Sequence, residues 1–357
     1  MSGRLTTVSR AFVVGGALTL CACAHRASSR AEVTRTELTV ESEPGVHIAV
    51  REVALAEGMS GGAVVLVHGA GAGGVASFDN PVPGYSLAED LARAGYATYV
   101  LDVRGWGRSS RPAALDGPRD ASPAAVTSEE AVRDVAAAVE LARARGHRTI
   151  AVLGWATGGH WAGMFAATHP DGLTHLIMLN ALYGVDAPWS LRAGLEVEGS
   201  PGVLSPSLGA YTLRDEQSLL TTWNRNIPID DKAAWRDPGV ATAYVELTLG
   251  ADPTSSSRQP RSARVPAGPL ADSYALSKGI KLWEARDVRA QTMIVRGSLD
   301  FWSRPQDVAA LKGELSDAGR VEVLELPDST HFLFLDRPEH GRARFVEAVL
   351  AFLGSLR

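Results

Sequence analysis

Four turns in this chain carry residues that could do chemistry together. Gly297-Ser298-Leu299-Asp300 is followed by Ser329-Thr330-His331, which supplies a carboxylate and, behind it, an imidazole. Such a pair lets an acid orient a histidine that takes up and returns a proton. Ahead of both stands Gly154-Trp155-Ala156-Thr157-Gly158-Gly159. Glycines at 154 and 158 permit a sharp strand-to-helix turn that thrusts its central side chain forward, the position a nucleophile needs. That central residue is Ala156, and a methyl group cannot attack a carbonyl. The remaining turn, His68-Gly69-Ala70-Gly71-Ala72-Gly73-Gly74, is rich in small residues. Its backbone N–H groups could approach a developing negative charge. It lacks Gly-Lys-Ser/Thr and the Gly-x-Gly-x-x-Gly spacing, so it reads neither as a phosphate loop nor as a dinucleotide fingerprint.

The elements that must position these turns alternate strand and helix. Glu37–Ser42 and Val46–Val53 alternate apolar and polar residues around Glu43-Pro44-Gly45, which predicts a hairpin. Ala63–His68 is a continuous apolar run, as expected of a strand buried on both faces. The pattern then predicts helix Leu87–Ala94, strand Ala97–Asp102, helix Glu129–Arg145, strand Thr149–Gly154, helix Gly158–Thr168 and strand Leu173–Leu179. After a long interruption come strand Gln291–Arg296, helix Pro305–Ala318, strand Arg320–Leu326 and a helix over Glu339–Leu356. Alternation of this kind implies a mostly parallel sheet covered on both faces. Sites in such sheets form beyond the carboxyl ends of the strands, where these turns fall. The interruption, Tyr183 to Glu284, contains Trp189, Trp223, Trp235 and Trp283 and is too long for a loop, so it reads as a lid. Its tryptophans divide between internal packing and the lining of a pocket.

In combination these motifs resemble the α/β-hydrolases, above all the lidded esterase, lipase and peptidase-like members. The resemblance runs from about Thr36 to Leu356 and includes Asp102-Val103-Arg104-Gly105-Trp106-Gly107-Arg108-Ser109, similar to a motif of that family. It implies an eight-stranded, mostly parallel sheet flanked by helices, with a mainly helical lid inserted. It also implies that Asp300 orients His331, that His331 is general base and then acid, and that the N–H groups of Ala70 and Thr157 form an oxyanion hole. Gly69 and Trp155 would touch substrate. The implied reaction is hydrolysis of a carboxylic ester, or less readily an amide, through an acyl-enzyme, and it requires no cofactor. The modules expected are residues 36–182 and 286–357 as the core and 183–285 as the lid.

Ala156 is the departure. It fits a serine, or less readily a cysteine, replaced so that a ligand is trapped. It also fits a natural non-catalytic relative that binds a ligand, or chemistry in which His331 activates water directly. An acyltransferase of the same fold is a further alternative. Other polar residues read as structural: His160 in the helix after the turn, His147 and His169 at helix ends, and Asp134 solvated or capping on its helix. Asp79 and Asp102 are not read as the catalytic acid.

Composition sets the remaining bounds. The 357 residues are 45% hydrophobic and 21% charged, which permits a large core. A formal charge of -5 gives no basic field for nucleic acid. The two cysteines, Cys21 and Cys23, exclude a disulfide framework or a Cys-ligated metal in the folded part. No His-Glu-x-x-His or comparable cluster argues for a metal. Arg4 and Arg10 precede an apolar run from Ala11 to Ala24, too short to span a membrane. Leu20-Cys21-Ala22-Cys23 resembles a bacterial lipoprotein signal, which implies cleavage after residue 22, lipidation of Cys23 and a tether over residues 23–35. The expected location is extracytoplasmic and membrane-anchored, and Ala24 is compatible with outer-membrane sorting in a Gram-negative source; a secreted or periplasmic protein is the alternative.

Overall fold

The computed structural model describes Met1, residues 31–58 and residues 62–354. The chain divides into Met1–Ala31 and Glu32–Arg357, and the second unit is the subject below. The expected leader and the lipidation site at Cys23 lie outside the described residues.

Two long strands, β1 (Val33–Glu43) and β2 (Val46–Leu55), form the expected antiparallel hairpin, turning where Gly45 adopts a φ of 81°. The buried apolar runs follow as β3 (Ala63–Val67), β4 (Ala97–Leu101), β5 (Ile150–Trp155) and β6 (His175–Leu179). Each is buried along its whole length, the consequence of helices on both faces. The intervening helices are α1 (Gly74–Phe78), α2 (Leu87–Arg93), α3 (Ser128–Ala144) and α4 (Thr157–Thr168). Thr127 and Glu130 make a reciprocal capping box that starts α3.

Between β6 and the next core strand the chain leaves the sheet. This insertion is less uniformly helical than the sequence suggests. It contains β7 (Glu196–Val197) paired with β8 (Ser200–Leu204), and β9 (Tyr211–Asp215) paired with a later strand, β10 (Ser262–Pro266). Between β9 and β10 lie α5 (Glu216–Asn224), α6 (Lys232–Trp235) and α7 (Pro238–Gly250); α8 (Gly268–Ser277) follows. These strands escape sequence reading because they are short and, β10 apart, only partly buried, and none carries an apolar run.

The core closes with β11 (Gln291–Gly297), α9 (Pro305–Glu314), β12 (Val321–Leu326) and α10 (Arg342–Leu353). Helix α9 stops four residues earlier than expected, and a 3-10 turn at Pro338–His340 delays the start of α10. The sheet is eight-stranded in the order β1-β2-β4-β3-β5-β6-β11-β12. Pairs involving β1 and β2 are antiparallel; every other pair is parallel. The carboxyl ends of β3, β5, β11 and β12 therefore open on one rim, and each chemistry-bearing turn follows one of them. No helix among the described residues is long and apolar enough to cross a membrane.

Candidate active site

The turn between β5 and α4 is the most constrained part of the rim. Ala156 sits there at φ 54° and ψ −116°, a conformation that L-residues adopt rarely and at a cost of about 1–3 kcal/mol. The glycines around it explain how the strain is held. A Cβ on Gly154 would lie 2.1 Å from the carbonyl oxygen of Gly158, and one on Gly158 would lie 2.2 Å from that of Val67. The start of α4 is thus pressed directly onto β3 and β5, and position 156 has nowhere to relax.

His331 follows β12 and is buried with Asp300, which follows β11. The His331 Nδ1–H donates to Asp300 Oδ1 at 2.6 Å. This fixes the tautomer and leaves Nε2 with its lone pair. The carboxylate is itself oriented: Trp302 N–H donates to Oδ1 at 3.0 Å, Ser303 N–H to Oδ2 at 2.7 Å, and the Ser303 hydroxyl also donates to Oδ2. From the opposite side, the Trp155 indole N–H holds the carbonyl of His331 at 3.0 Å, and Asn180 Nδ2 reaches the same carbonyl at 3.1 Å.

The glycine-rich turn is secured by His68. Its Nε2 accepts from Val103 N–H at 3.0 Å, so Nδ1 carries the proton and donates to the Gly69 carbonyl at 2.7 Å. Burial lowers the pKa of this imidazole and keeps it neutral. Asp102 accepts from Gly74 N–H at 2.7 Å and belongs to the turn, as expected. Among the described residues the backbone N–H groups of Ala70 and Thr157 have no protein acceptor, the condition an oxyanion hole requires.

A cavity of about 280 Å³ joins these parts: Gly69, Ala70, Trp155, Ala156, Thr157 and His331 all line it. Every site residue expected from sequence in the folded part lines this cavity except Asp300, which stands behind His331, hydrogen-bonded to it. The insertion contributes Leu191, Leu195, Arg214, Leu219, Thr222, Arg225, Tyr244 and Leu270 to the same cavity. None of these was legible beforehand, because sequence does not reveal which face of an insertion meets the core.

Two expectations need correction. The insertion's tryptophans do not line the cavity; all four serve packing. Trp223 stacks on Phe332 with ring centres 4.8 Å apart, and Trp235 stacks on His340 at 3.8 Å. Both donate their indole N–H to the buried Asp336, at 2.8 and 3.1 Å, and Thr330 Oγ1 donates to it at 2.6 Å. Asp336 therefore fastens the insertion to the loop that carries His331. The indoles at the wall, Trp155 and Trp302, come from the core.

Asp134, in turn, is neither solvated nor capping. It is fully buried and binds Arg104 through Nε and Nη2, the closest contact being 2.7 Å. The stripe Ala131, Val135, Ala138 on α3 was the available signal, since residue 134 falls on it. His160 is structural as read. Its Nδ1 accepts from Trp283 Nε1 at 3.1 Å, and burial drives its pKa down to about 3.

A family model described as alpha/beta hydrolase fold matches residues 62–338. Epoxide hydrolase 3 of Xenopus tropicalis is 25% identical over 252 residues, which span 69% of this chain and 62% of that protein. A 1-acylglycerol-3-phosphate O-acyltransferase of Arabidopsis thaliana is 23% identical over 296 residues, 77% of this chain and 63% of that one. The chain thus spans a little under two thirds of the length of these relatives. Among solved structures, a serine hydrolase from Cycloclasticus zankles superposes with a TM-score of 0.59 at 14% identity, covering 90% of this chain and 98% of its own. That last likeness is one of fold. With the sheet order, the strained turn after β5 and the match over residues 62–338, the chain belongs to the α/β-hydrolase fold family.

Proposed function

We propose that the cavity is the site of a serine-type hydrolase of carboxylic esters, and less readily of amides, in which Ala156 occupies the nucleophile position. The observation that carries this reading is the backbone at Ala156, held at φ 54° and ψ −116° beside a histidine already oriented by a carboxylate. A methyl group needs no such strain, whereas a nucleophile does, because the turn aims it at the reacting carbon. With a serine there, His331 Nε2 would accept the hydroxyl proton as the oxygen attacks. The N–H groups of Ala70 and Thr157 would stabilise the oxyanion, and water activated by His331 would release the acyl group. The cavity lies near the lower end of small-molecule sites and suits an ester of modest size.

Ala156→Ser should gain hydrolysis of p-nitrophenyl esters, and His331→Ala in that background should remove it. The chain as it stands is then a form that binds its ligand without acylation. Ala156 itself favours a second reading, a natural ligand-binding relative. Its signature is ligand affinity that survives in a correctly folded Ala156→Ser protein showing no turnover. Acyl transfer to an added alcohol outpacing hydrolysis would reassign the protein as an acyltransferase. We further propose an extracytoplasmic location with a lipid anchor on Cys23, supported by Arg4, Arg10 and the Leu20-Cys21-Ala22-Cys23 signal.

A further inference from the structure

The cavity has an electrostatic asymmetry that ester hydrolysis does not use. Its wall includes two arginines, Arg214 and Arg225, and no aspartate or glutamate. Among the described residues neither guanidinium forms an ion pair or donates a hydrogen bond. Arg214 Nε is buried with no partner. Arg214 is fixed on β9 by pairing with Ala263 of β10. The adjacent carboxylate of Asp215 is committed to capping α5 by accepting from Ser218 N–H at 2.8 Å. The other polar group beside Arg214 is the buried Tyr244 phenol. The Tyr244 hydroxyl borders the glycine-rich turn, since a Cβ on Gly71 would approach it to 3.4 Å. Arg225 lies 5.1 Å from the centre of the Phe301 ring, which packs against His331 at 4.8 Å. The cationic groups therefore line the same cavity as Ala156 and His331.

Arg214 is half-buried with its Nε–H buried and unpartnered, which is unfavourable, and desolvation depresses its pKa. Arginine still does not shed its proton as a buried lysine can. The favourable way to satisfy it is an anion that enters from the cavity, and the planar fork of Arg214 suits a carboxylate or phosphate. We propose that Arg214, assisted by Arg225, forms an anion subsite, so that the ligand is an ester carrying a carboxylate or phosphate group in addition to the ester linkage. The proposal rests on the hydrolase reading for its ester, and on Arg214 and Arg225 alone for its charge.

The test is calorimetric binding to the chain with Ala156 in place, which holds ligand without turnover. The probes are monoethyl adipate, the neutral diethyl adipate and a short acyl ester of glycerol phosphate. At least one anionic probe should bind tenfold or more tighter than the neutral diester, and its affinity should fall with added salt while that of the diester does not. The anion that gains more identifies the group. Arg214→Met should erase the preference. It should also leave the melting temperature without ligand unchanged or higher, because it removes a half-buried guanidinium that has no partner; a merely structural arginine would lower it. If Arg214→Met does not fold, Arg225→Gln and Arg214→Lys should each reduce the preference severalfold. Equal affinity for charged and neutral probes, binding of none of them, or a preference intact in Arg214→Met overturns the subsite. Hydrolysis by Ala156→Ser without anion preference would sink this inference alone. Anion-selective binding without any gained hydrolysis would instead sink the hydrolase reading and leave the subsite standing.

Discussion

Replacing Asp336 by asparagine tests how the insertion is held over the site. The carboxylate is fully buried and receives three donors: Trp223 on Oδ1, and Trp235 and Thr330 on Oδ2. An asparagine presents one acceptor oxygen and one NH2. Its better orientation leaves the oxygen to Trp235 and Thr330 and sets the NH2 against the Trp223 N–H. Thr330 cannot easily reverse its role, because its Oγ1 already accepts from Phe332 N–H at 3.1 Å. One charge-assisted bond is lost, about 1.5–3 kcal/mol, and a buried donor is left unmet, about 1–3 kcal/mol. Against this, burial raises the pKa of Asp336, so neutral asparagine is spared part of the cost of desolvating a charge. The net expectation is a loss of about 2–3 kcal/mol, read as a lower urea midpoint with an unchanged slope. Asp336→Ala, which leaves all three donors unmet, should lose more. Because Thr330 and Phe332 flank His331, ligand affinity should fall in both variants. A loss below about 0.5 kcal/mol in Asp336→Asn would refute the view that this carboxylate fastens the insertion.

Three further outcomes follow from the same packing. Asp134→Asn should cost about 3 kcal/mol in chemical denaturation, since it leaves Arg104 as a buried cation with Glu43 as its remaining close partner. His160 binds a proton in the unfolded chain below its ordinary pKa of 6.5 but in the folded chain only near 3. Stability should therefore be full above pH 6.5 and fall as pH drops, by about 1.4 kcal/mol per unit for this group; the loss between pH 6.5 and 5 should shrink by about 2 kcal/mol in His160→Gln, and equal losses in both proteins would contradict it. Gly158→Ala places a methyl against the carbonyls of Val67 and His68 and should lower the melting free energy by about 3 kcal/mol, whereas Gly117→Ala, which meets nothing within 4 Å, should leave it nearly unchanged.

The parts of this molecule that sequence discloses are those whose local physics leaves one answer. Ala63–Val67 and Ile150–Trp155 are apolar throughout because both faces are covered, and their burial matches. Gly154 and Gly158 fix the turn at Ala156 because a Cβ at either would overlap backbone atoms. The register of the insertion is different in kind. Nothing in the sequence distinguishes Arg214 and Arg225 from surface cations, and only tertiary packing turns them onto the cavity. Sequence does not sort Trp223 and Trp235 between packing and pocket lining; each indole N–H needed a buried acceptor, and Asp336 supplied it far along the chain. Asp134 was misread for a simpler reason: its charge outweighed its place on the buried stripe of α3.

The central claim is that position 156 is a nucleophile position served by intact machinery. The most direct measurement is the intact mass of Ala156→Ser after incubation with an alkyl fluorophosphonate, with the parent chain and the His331→Ala double variant alongside. One adduct per chain is expected in Ala156→Ser, mapped to the peptide containing residue 156, little in the double variant and none in the parent. A folded Ala156→Ser protein that forms no adduct and turns over no ester or amide would contradict it.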